Sequence, residues 1–245
     1  MIITIIIFRS RRHLRKSNCV AAYKLKIYTG SIMFNIYSIN YVDLSSRAKI
    51  DLYTLRKSTF YDRLGWAVTC INGMENDQFD DVQTNYILGV VDQEIICGTR
   101  IIPMSNANML EKTFFSFFKD IEIPEGKYIE STRFFVDKMR TRNLLEYNFP
   151  VTKILFLSLI NFARKHQYEG IIAVASHAMM QIIEQSGWKI TKLKTGQSEK
   201  GEPVHLLLGH IDDESCRKLK EEILDKEKKL PQTLLEQWPF VLNKL

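Results

Sequence analysis

One short stretch of the 245-residue chain concentrates a basic side chain, two large aromatic rings and two carboxylates. These residues are Arg56, Phe60, Trp66, Asp77 and Asp80. Arg56 and Phe60 lie four positions apart, so a helix would place them on one face. Ring faces attract cations and a guanidinium pairs with carboxylates, so the set could bind a small charged ligand. Two plainer interpretations stay open here: core packing for the rings and a structural ion-pair network for the charged groups.

A second group of polar side chains interrupts an apolar, strand-like sequence. Arg100 ends a Cys-Gly-Thr-Arg segment, and Glu130 begins the run Glu-Ser-Thr-Arg that precedes Phe-Phe-Val-Asp. Strand alternation would place Glu130 and Thr132 on one face, and Ser131 and Arg133 on the other. A glutamate and an arginine are costly to bury in a strand unless they are paired or used in function. The segment is therefore a second candidate part of a site.

The elements that must position these residues alternate between strands and helices. Ser45 or Ser46 can cap a helix to about Phe60, and Pro150 fits the first turn of a helix to about His166. Further helices are expected at 177–186 and 212–229, and strands at 34–39, 85–91, 94–102, 128–136, 171–175, 189–194 and 204–210. The tail around Trp238 is expected to lie along the surface. This order predicts a mixed sheet with helices on both faces.

The formal net charge of +6 is unevenly distributed along the chain. Residues 1–32 contain seven basic and no acidic side chains, so residues 33–245 carry 27 basic and 28 acidic groups, a net of −1. We expect residues 1–32 to be upstream translation or a disordered basic leader, and residues 33–245, from Met33, to form one functional domain. A membrane-surface or RNA-binding arm is the alternative for the leader.

Composition and the placement of cysteines limit the classes of protein to which this chain can belong. Hydrophobic residues make up 45% and charged residues 25% of the chain, which is typical of a soluble globule and excludes a multi-span membrane protein. The four cysteines form no C-x-x-C pair, which favours reduced thiols in the cytoplasm. The histidines show no ligand spacing with cysteines or carboxylates, so no metal site is expected.

The spacing of these residues resembles that of the acyl-homoserine-lactone synthases, the bacterial enzymes that make quorum-sensing autoinducers. The family pattern is an Arg, a Phe four residues on, a basic residue, a Trp, and then E-x-D-x-[FY]-D. This chain matches it with Arg56, Phe60, Arg63, Trp66, Glu75, Asp77, Phe79 and Asp80, and later with Arg100, Phe114, Glu130 and Arg133. The resemblance covers about residues 33 to 240.

The resemblance implies an N-acetyltransferase-like three-layer α-β-α sandwich with a V-shaped cleft in a mixed sheet. It also implies transfer of a fatty acyl group from acyl carrier protein to the amine of S-adenosylmethionine. The products would be an N-acyl-homoserine lactone, 5'-methylthioadenosine and holo carrier protein. S-adenosylmethionine would be a substrate, so no cofactor is expected, and neither nucleic acid nor stable membrane association is expected.

The resemblance also implies roles for individual residues. Glu130 would accept the amine proton, and Arg100 or Arg133 would assist at the thioester oxygen. The S-adenosylmethionine site and the network that holds an N-terminal lid would be formed by Arg56, Phe60, Trp66, Asp77, Asp80 and Phe114. For Arg56, fixing the substrate carboxylate is the alternative to holding the lid.

The acyl chain would lie in an apolar pocket behind the cleft. By position in the family, its lining would be Ser131, Leu159, Ala173, Ala175 and Met179, although plain core packing stays open for each. Relatives that favour 3-oxo chains carry Thr where this chain has Ala173, so a 3-oxo preference is in doubt, with Ser131 or Ser176 as other hydroxyls. Chains of about six to eight carbons are expected from the resemblance. Lys153, Arg164 and Lys165 are candidates for docking an acidic carrier protein, or form a solvated face.

Two other functions remain as alternatives. An acyl-CoA N-acyltransferase of the same fold would usually show a Gly-rich Q/R-x-x-G-x-G/A loop for the pyrophosphate, and this chain has none. A nucleic-acid-binding regulator would rest on the leader alone. It predicts salt-sensitive binding that is lost on deleting residues 1–32, whereas a synthase predicts unchanged product from a chain that starts at Met33.

Overall fold

The structure is a computed structural model that describes residues 34–245. The predicted leader at 1–32, together with Met33, lies outside the described residues. The strands are β1 (Phe34–Asn40), β2 (Cys70–Ile71), β3 (Met74–Glu75), β4 (Asn85–Val91), β5 (Glu94–Pro103), β6 (Tyr128–Val136), β7 (Gly170–Ser176), β8 (Ile190–Gln197), β9 (Pro203–Gly209) and β10 (Phe240–Val241). The α-helices are α1 (Ser46–Arg56), α2 (Lys138–Leu144), α3 (Val151–Lys165), α4 (His177–Gln185), α5 (Asp213–Lys226) and α6 (Gln232–Gln237).

Eight of the strands form one mixed sheet in the order β10-β1-β4-β5-β6-β7-β9-β8. At its centre β6 and β7 run parallel, but they pair only where Tyr128–Glu130 meets Gly170–Ile172. Beyond this point β6 continues to Val136 and β7 to Ser176 without pairing to each other. The two strands therefore separate and open a V-shaped cleft, as predicted for this sheet.

Helices cover both faces of the sheet because alternate strand residues point to opposite sides. On β4, Leu88 packs in the same core cluster as Leu52 of α1, whereas its neighbour Ile87 packs with Leu155 of α3. We call these two sides the α1 face and the α3 face. Burying each such side chain contributes about 1.5–3 kcal/mol, so the two helices are held by apolar area on opposite sides of one sheet.

Side-chain caps account for the starts of four of the six α-helices in residues 34–245. Ser45 caps α1 by accepting a hydrogen bond from the Ala48 N–H at 3.1 Å, as predicted. Gly187 follows α4 with a φ of +82°, the left-handed conformation that glycine adopts without strain. The helix predicted to continue to Phe60 instead ends as an α-helix at Arg56 and continues as a π-helix over Lys57–Arg63.

The predicted surface position of the tail is wrong for Trp238. Its side chain is 1% exposed and packs edge-on against Phe34, with ring centroids 5.4 Å apart. The next residues form β10, which pairs parallel to β1. An indole is large enough that its burial outweighs the polar character of the surrounding tail.

None of the helices within residues 34–245 is long and apolar enough to cross a membrane.

Candidate active site

Three arginines and three carboxylates form a closed ring of ion pairs on the α1 face of the sheet. Its members in order are Arg56, Glu75, Arg133, Asp77, Arg100 and Asp80. We call this set the ion-pair ring. Every carboxylate bridges two arginines, so positive and negative charges alternate around it. Because the three charges of each sign cancel, the ring has no net formal charge.

The distances within the ring are those of charge-assisted hydrogen bonds. Arg56 donates to Glu75 Oε2 at 2.6 Å and to Asp80 Oδ1 at 2.7 Å. Arg100 donates to Asp80 Oδ1 at 2.9 Å and to the two oxygens of Asp77 at 2.5 and 3.0 Å. Arg133 closes the ring by donating to Glu75 Oε1 at 3.0 Å and to Asp77 Oδ2 at 2.9 Å.

Different elements deliver the members of the ring. Arg56 is the last residue of α1, Glu75 ends β3, and Arg100 and Arg133 lie on β5 and β6. Asp77 and Asp80 lie in the turn after β3. The Asp80 carboxylate accepts a hydrogen bond from the Asp77 backbone N–H at 2.9 Å, which fixes that turn. Arg56 of α1 and Arg100 of β5 are far apart in sequence. They come together only because α1 packs on the face of the sheet to which Arg100 points.

The predicted alternation along β6 is wrong for Arg133. Residues Gly98 and Arg100 of β5 face Phe135 and Thr132, so β6 carries a bulge between them. Arg133 lies in this bulge with a φ of +53°. The extra residue turns Arg133 to the side of Thr132, whose hydroxyl accepts a hydrogen bond from Arg100 Nε at 3.0 Å. The bulge is therefore what allows Arg133 to close the ion-pair ring.

The ring lowers the pKa values of its aspartates. Burial by itself raises the pKa of Asp80, but the charges of Arg56 and Arg100 outweigh it and hold that pKa well below its ordinary value. Burial also raises the pKa of Asp77, and the hydrogen bond and charge of Arg100, with the charge of Arg133, reverse this effect. Both carboxylates are therefore ionised at neutral pH.

Glu130 lies beside the ring and is completely buried. Its Oε2 accepts a hydrogen bond from the Met109 N–H at 2.8 Å, and its Oε1 accepts one from the Leu110 N–H at 2.7 Å. Burial raises the pKa of Glu130 to about 7, although these N–H donors and the charges of Arg100 and Arg133 act in the opposite direction. At neutral pH this carboxyl group therefore exchanges readily between its protonated and ionised forms.

Aromatic rings lie against the ion-pair ring. Phe60 is buried and stacks on Trp66, with centroids 4.9 Å apart and planes at 23°. The guanidinium of Arg133 lies 5.6 Å from the centroid of Phe60. Trp66 is 39% exposed, so core packing does not explain its position. Phe114 is half-buried against a small cluster that includes Phe79.

The predicted acyl-pocket residues come from the elements that surround the cleft. Ser131 lies on β6, Leu159 on α3, Ala173 and Ala175 on β7, and Met179 on α4. Leu159 and Ala175 belong to one core cluster on the α3 face, and Met179 packs against that cluster as a partly buried side chain.

Two hydroxyls near the predicted acyl pocket are already engaged. The Ser131 hydroxyl is 2.9 Å from that of Thr99, and Thr99 also donates to the Thr132 carbonyl at 3.0 Å. Ser176 caps α4 by accepting a hydrogen bond from the Met179 N–H at 3.3 Å. The Ser131 hydroxyl therefore pairs with another side chain, whereas the Ser176 hydroxyl is used to cap a helix.

Some charged and titratable residues lie outside this site. Lys153 and Arg164 pair with Glu222 and Asp213 of α5, which leaves Lys165 as the candidate docking residue without a carboxylate partner among residues 34–245. In the same part of the chain no three metal-binding side chains come together.

Sequence reasoning gave no role to several residues that hold the site. Glu75 matched the family pattern but was assigned no function, although it joins two arginines of the ring. Tyr86 donates to Asp80 Oδ1 at 2.6 Å. Asn108 and Met109 precede the predicted Phe114 but carry no recognisable motif. The sequence did offer one signal for Tyr86, because it places a hydroxyl-bearing side chain in the predicted strand 85–91, which is otherwise mostly apolar.

Comparisons with known proteins agree on one family. The family model described as autoinducer synthase matches residues 41–219. The acyl-homoserine-lactone synthase of Pectobacterium parmentieri is 44% identical over 208 residues, which cover 85% of this chain and 95% of that protein.

Solved structures show the same fold at lower sequence identity. The acyl-homoserine-lactone synthase LasI superimposes with a TM-score of 0.67 and 18% identity over 77% of this chain and 94% of its own. BjaI, a CoA-dependent acyl-homoserine-lactone synthase solved with S-adenosylmethionine and isopentyl-CoA, gives a TM-score of 0.64 and 18% identity over 78% of this chain and 90% of its own. These likenesses confirm the predicted mixed α/β fold with one large mixed sheet.

Proposed function

Because this chain belongs to the autoinducer synthase family, whose activity is acyl-homoserine-lactone synthesis, we propose that it acylates the amine of S-adenosylmethionine with a fatty acyl group from acyl carrier protein. The resulting amide closes to the N-acyl-homoserine lactone and releases 5'-methylthioadenosine, and the carrier protein leaves in its free thiol form. The observation that carries this proposal is the neutral ion-pair ring beside buried Glu130, at the point where β6 and β7 separate.

The charge balance of the site suits S-adenosylmethionine, which carries a sulfonium, an ammonium and a carboxylate. The ion-pair ring is neutral, so ionised Glu130 leaves one excess negative charge to attract the cationic groups. Trp66 and Phe60 offer stacked ring faces, and cation–π attraction contributes roughly 0.5–2 kcal/mol per contact. Arg56 is bound on two sides by carboxylates, which supports its role in holding the N-terminal lid in place.

Glu130 is the proposed proton acceptor. The ammonium of S-adenosylmethionine must lose a proton before its nitrogen can attack the thioester, and Glu130 takes that proton directly or through a water molecule. With a pKa of about 7, the ionised form increases as the pH rises through neutrality. The acylation rate should therefore rise with pH over this range and level off above it.

The later steps depend mainly on how the protein positions the substrate and the hydrogen-bond donors. The thioester oxygen becomes an oxyanion that requires hydrogen-bond donors. We place these among the backbone N–H groups of β6 beyond Glu130, where pairing with β7 has ended, with Arg100 and Arg133 adding positive potential. In lactonisation the carboxylate oxygen of the substrate attacks the carbon that bears the sulfonium, so a new C–O bond replaces the C–S bond. The protein has to hold the chain bent.

The segment between β6 and α3 favours acyl carrier protein over CoA as the donor. In this chain it comprises residues 137–150, contains α2 and has no glycine. A Gly-rich loop at a helix N-terminus is the usual cradle for a pyrophosphate, and CoA carries a pyrophosphate whereas the carrier's phosphopantetheine arm has a single phosphodiester.

The donor can be tested with the purified full chain. S-adenosylmethionine is supplied with either hexanoyl carrier protein or hexanoyl-CoA, and the lactone is measured by mass spectrometry. We expect kcat/KM to be at least about 10-fold higher with the carrier protein, a difference of about 1.4 kcal/mol. An equal or higher value with CoA would contradict the carrier assignment, and no lactone from either donor would contradict the proposed reaction.

Enlarging Ala173 should shorten the acyl chain that is used. Ala173→Leu adds three carbon atoms to β7 beside the cleft, so we expect the longest accepted donor to lose about 10-fold or more in kcat/KM relative to a shorter one. The measurement is the lactone profile from a mixture of acyl carrier proteins. Ala178→Leu is the matched control, because it makes the same substitution at an exposed residue of α4. If both variants give the same profile, Ala173 does not line the pocket.

The cellular location and the alternative of nucleic-acid binding are separate from the proposed reaction. A cytoplasmic location stays a prediction. Nucleic-acid binding would depend on residues 1–32, so comparing the full chain with residues 33–245 in a salt-dependent DNA- or RNA-binding assay separates that activity from lactone synthesis.

A further inference from the structure

The turn that precedes the π-helix Leu110–Phe114 is organised by one buried amide side chain. Asn108 is completely buried. Its Oδ1 accepts a hydrogen bond from the Glu111 N–H at 3.0 Å, and its Nδ2 donates to the carbonyl oxygens of Asn106 at 3.0 Å and Met104 at 3.5 Å. We call residues 106–111, which include the first two residues of the π-helix, the Asn108 turn. One side chain thus ties the two halves of this turn together.

The Asn108 turn delivers two backbone donors to one carboxylate. The N–H groups of Met109 and Leu110 bind separate oxygens of Glu130. This two-point contact fixes both the position and the plane of the carboxylate. The Met109 sulfur also accepts from Arg100 Nη2 at 2.9 Å, so the same turn contacts the ion-pair ring.

The electrostatics of Glu130 depend on these two donors. A buried carboxylate without partners is more stable when protonated, and hydrogen bonds to its ionised form oppose that tendency. The charged groups that face Glu130 are Arg100 of β5 and Arg133 of β6, and both are already paired with Asp77. The Asn108 turn therefore supplies the donors that are directed at Glu130 itself.

The two hydrogen bonds leave Glu130 able to act as a base. An ionised carboxylate offers about four lone-pair sites on its two oxygens. Two of these sites accept the N–H groups of the Asn108 turn. The remaining sites can accept a proton from an amine or from a bridging water molecule, and the carboxylate is already oriented when the substrate binds.

We infer that Asn108 is a positioning residue for acyl transfer, because it holds the turn whose N–H groups orient the Glu130 carboxylate and stabilise its ionised form. This inference rests on the proposed role of Glu130 as proton acceptor. Asn108 itself acts through Glu130 and touches no reacting atom.

The test is the pH dependence of single-turnover acylation in the full chain carrying Asn108→Ala. The wild-type rate should rise with a midpoint near the Glu130 pKa of about 7. In the variant we expect the midpoint to move up by about one pH unit, as for weakening one hydrogen bond to a charged group. Titration of the substrate amine is the same for both proteins, so a difference between their midpoints reports a change in a group of the protein.

Controls separate positioning from general damage. Asn106→Ala makes the same substitution at a residue that contributes only its backbone carbonyl to the Asn108 turn, so its midpoint should match the wild type. If Asn108→Ala does not fold, Asn108→Ser keeps an acceptor for the Glu111 N–H and should give a smaller upward shift. A folded Asn108 variant with a lower plateau rate but an unmoved midpoint would overturn the inference.

The outcome also distinguishes this inference from the proposed function. If the wild type shows no rise in rate near neutral pH, or if Glu130→Gln keeps the wild-type rate, the role of Glu130 as base fails. A different result would be that Glu130→Gln abolishes the rise in rate with pH while the Asn108→Ala variant keeps the wild-type midpoint. In that case Glu130 keeps its role as base and only the positioning by Asn108 is wrong.

Discussion

Glu130→Gln should lower the single-turnover acylation rate by about 10²–10⁴-fold, the usual contribution of a general base. An amide cannot accept the proton of the substrate amine, and the rise in rate near pH 7 should disappear with the carboxyl group. The rate is measured by rapid quench with S-adenosylmethionine and a hexanoyl carrier protein. Because the amide keeps the size of the carboxyl group, the cleft itself should be preserved.

The control for this substitution is a neighbouring exposed carboxylate. Glu111→Gln makes the same change in the turn that contacts Glu130, and its side chain is exposed, so the rate should stay within about 3-fold of wild type, a difference of under 1 kcal/mol. Glu130→Gln also places an amide opposite an N–H donor, which costs about 1–3 kcal/mol of stability. Thermal unfolding should confirm that the variant remains folded, and a wild-type rate in a folded variant would contradict the assignment.

Asp80→Asn should lower the free energy of unfolding by about 3–5 kcal/mol, the cost of breaking a buried ion pair by removing one partner. A single oxygen of Asp80 accepts hydrogen bonds from Arg56, Arg100 and Tyr86. The neutral amide would leave two buried arginines with one fewer negative charge between them. Urea unfolding followed by circular dichroism measures the loss.

An exposed ion pair provides the comparison. Asp62 pairs with Lys57 on the π-helix, where the two side chains are 46% and 30% exposed. Asp62→Asn should therefore cost less than about 1 kcal/mol. Equal losses for Asp62→Asn and Asp80→Asn would show that the ion-pair ring contributes no more to stability than a surface pair.

Features encoded by neighbouring residues were predictable from the sequence. The Asp92-Gln93 turn between two apolar runs correctly predicted the β4–β5 hairpin. Ser45 correctly predicted the start of α1, because an N-cap needs only the N–H groups of the next three residues. The resemblance was also confirmed, since a pattern of spaced residues is a property of the chain itself.

Features that depend on register were not predictable. The alternation rule placed Arg133 on the wrong face because it assumes a regular strand, whereas a bulge against Gly98 and Arg100 reverses one position. The bulge arises from pairing with β5, about 30 residues earlier in the chain, and nothing within β6 reports it. The buried position of Trp238 likewise depends on contact with Phe34 at the other end of the described chain.

The sequence by itself determined the family, the reaction type and the identities of the charged residues. Only the tertiary structure decided how those charges pair. Arg56 and Arg133 meet Glu75 from 19 and 58 residues away, and the donors of Glu130 come from a turn about 20 residues earlier. The physical reason is that a buried charge must find its partners wherever the packed sheet places them, while the local sequence specifies only that a partner is needed.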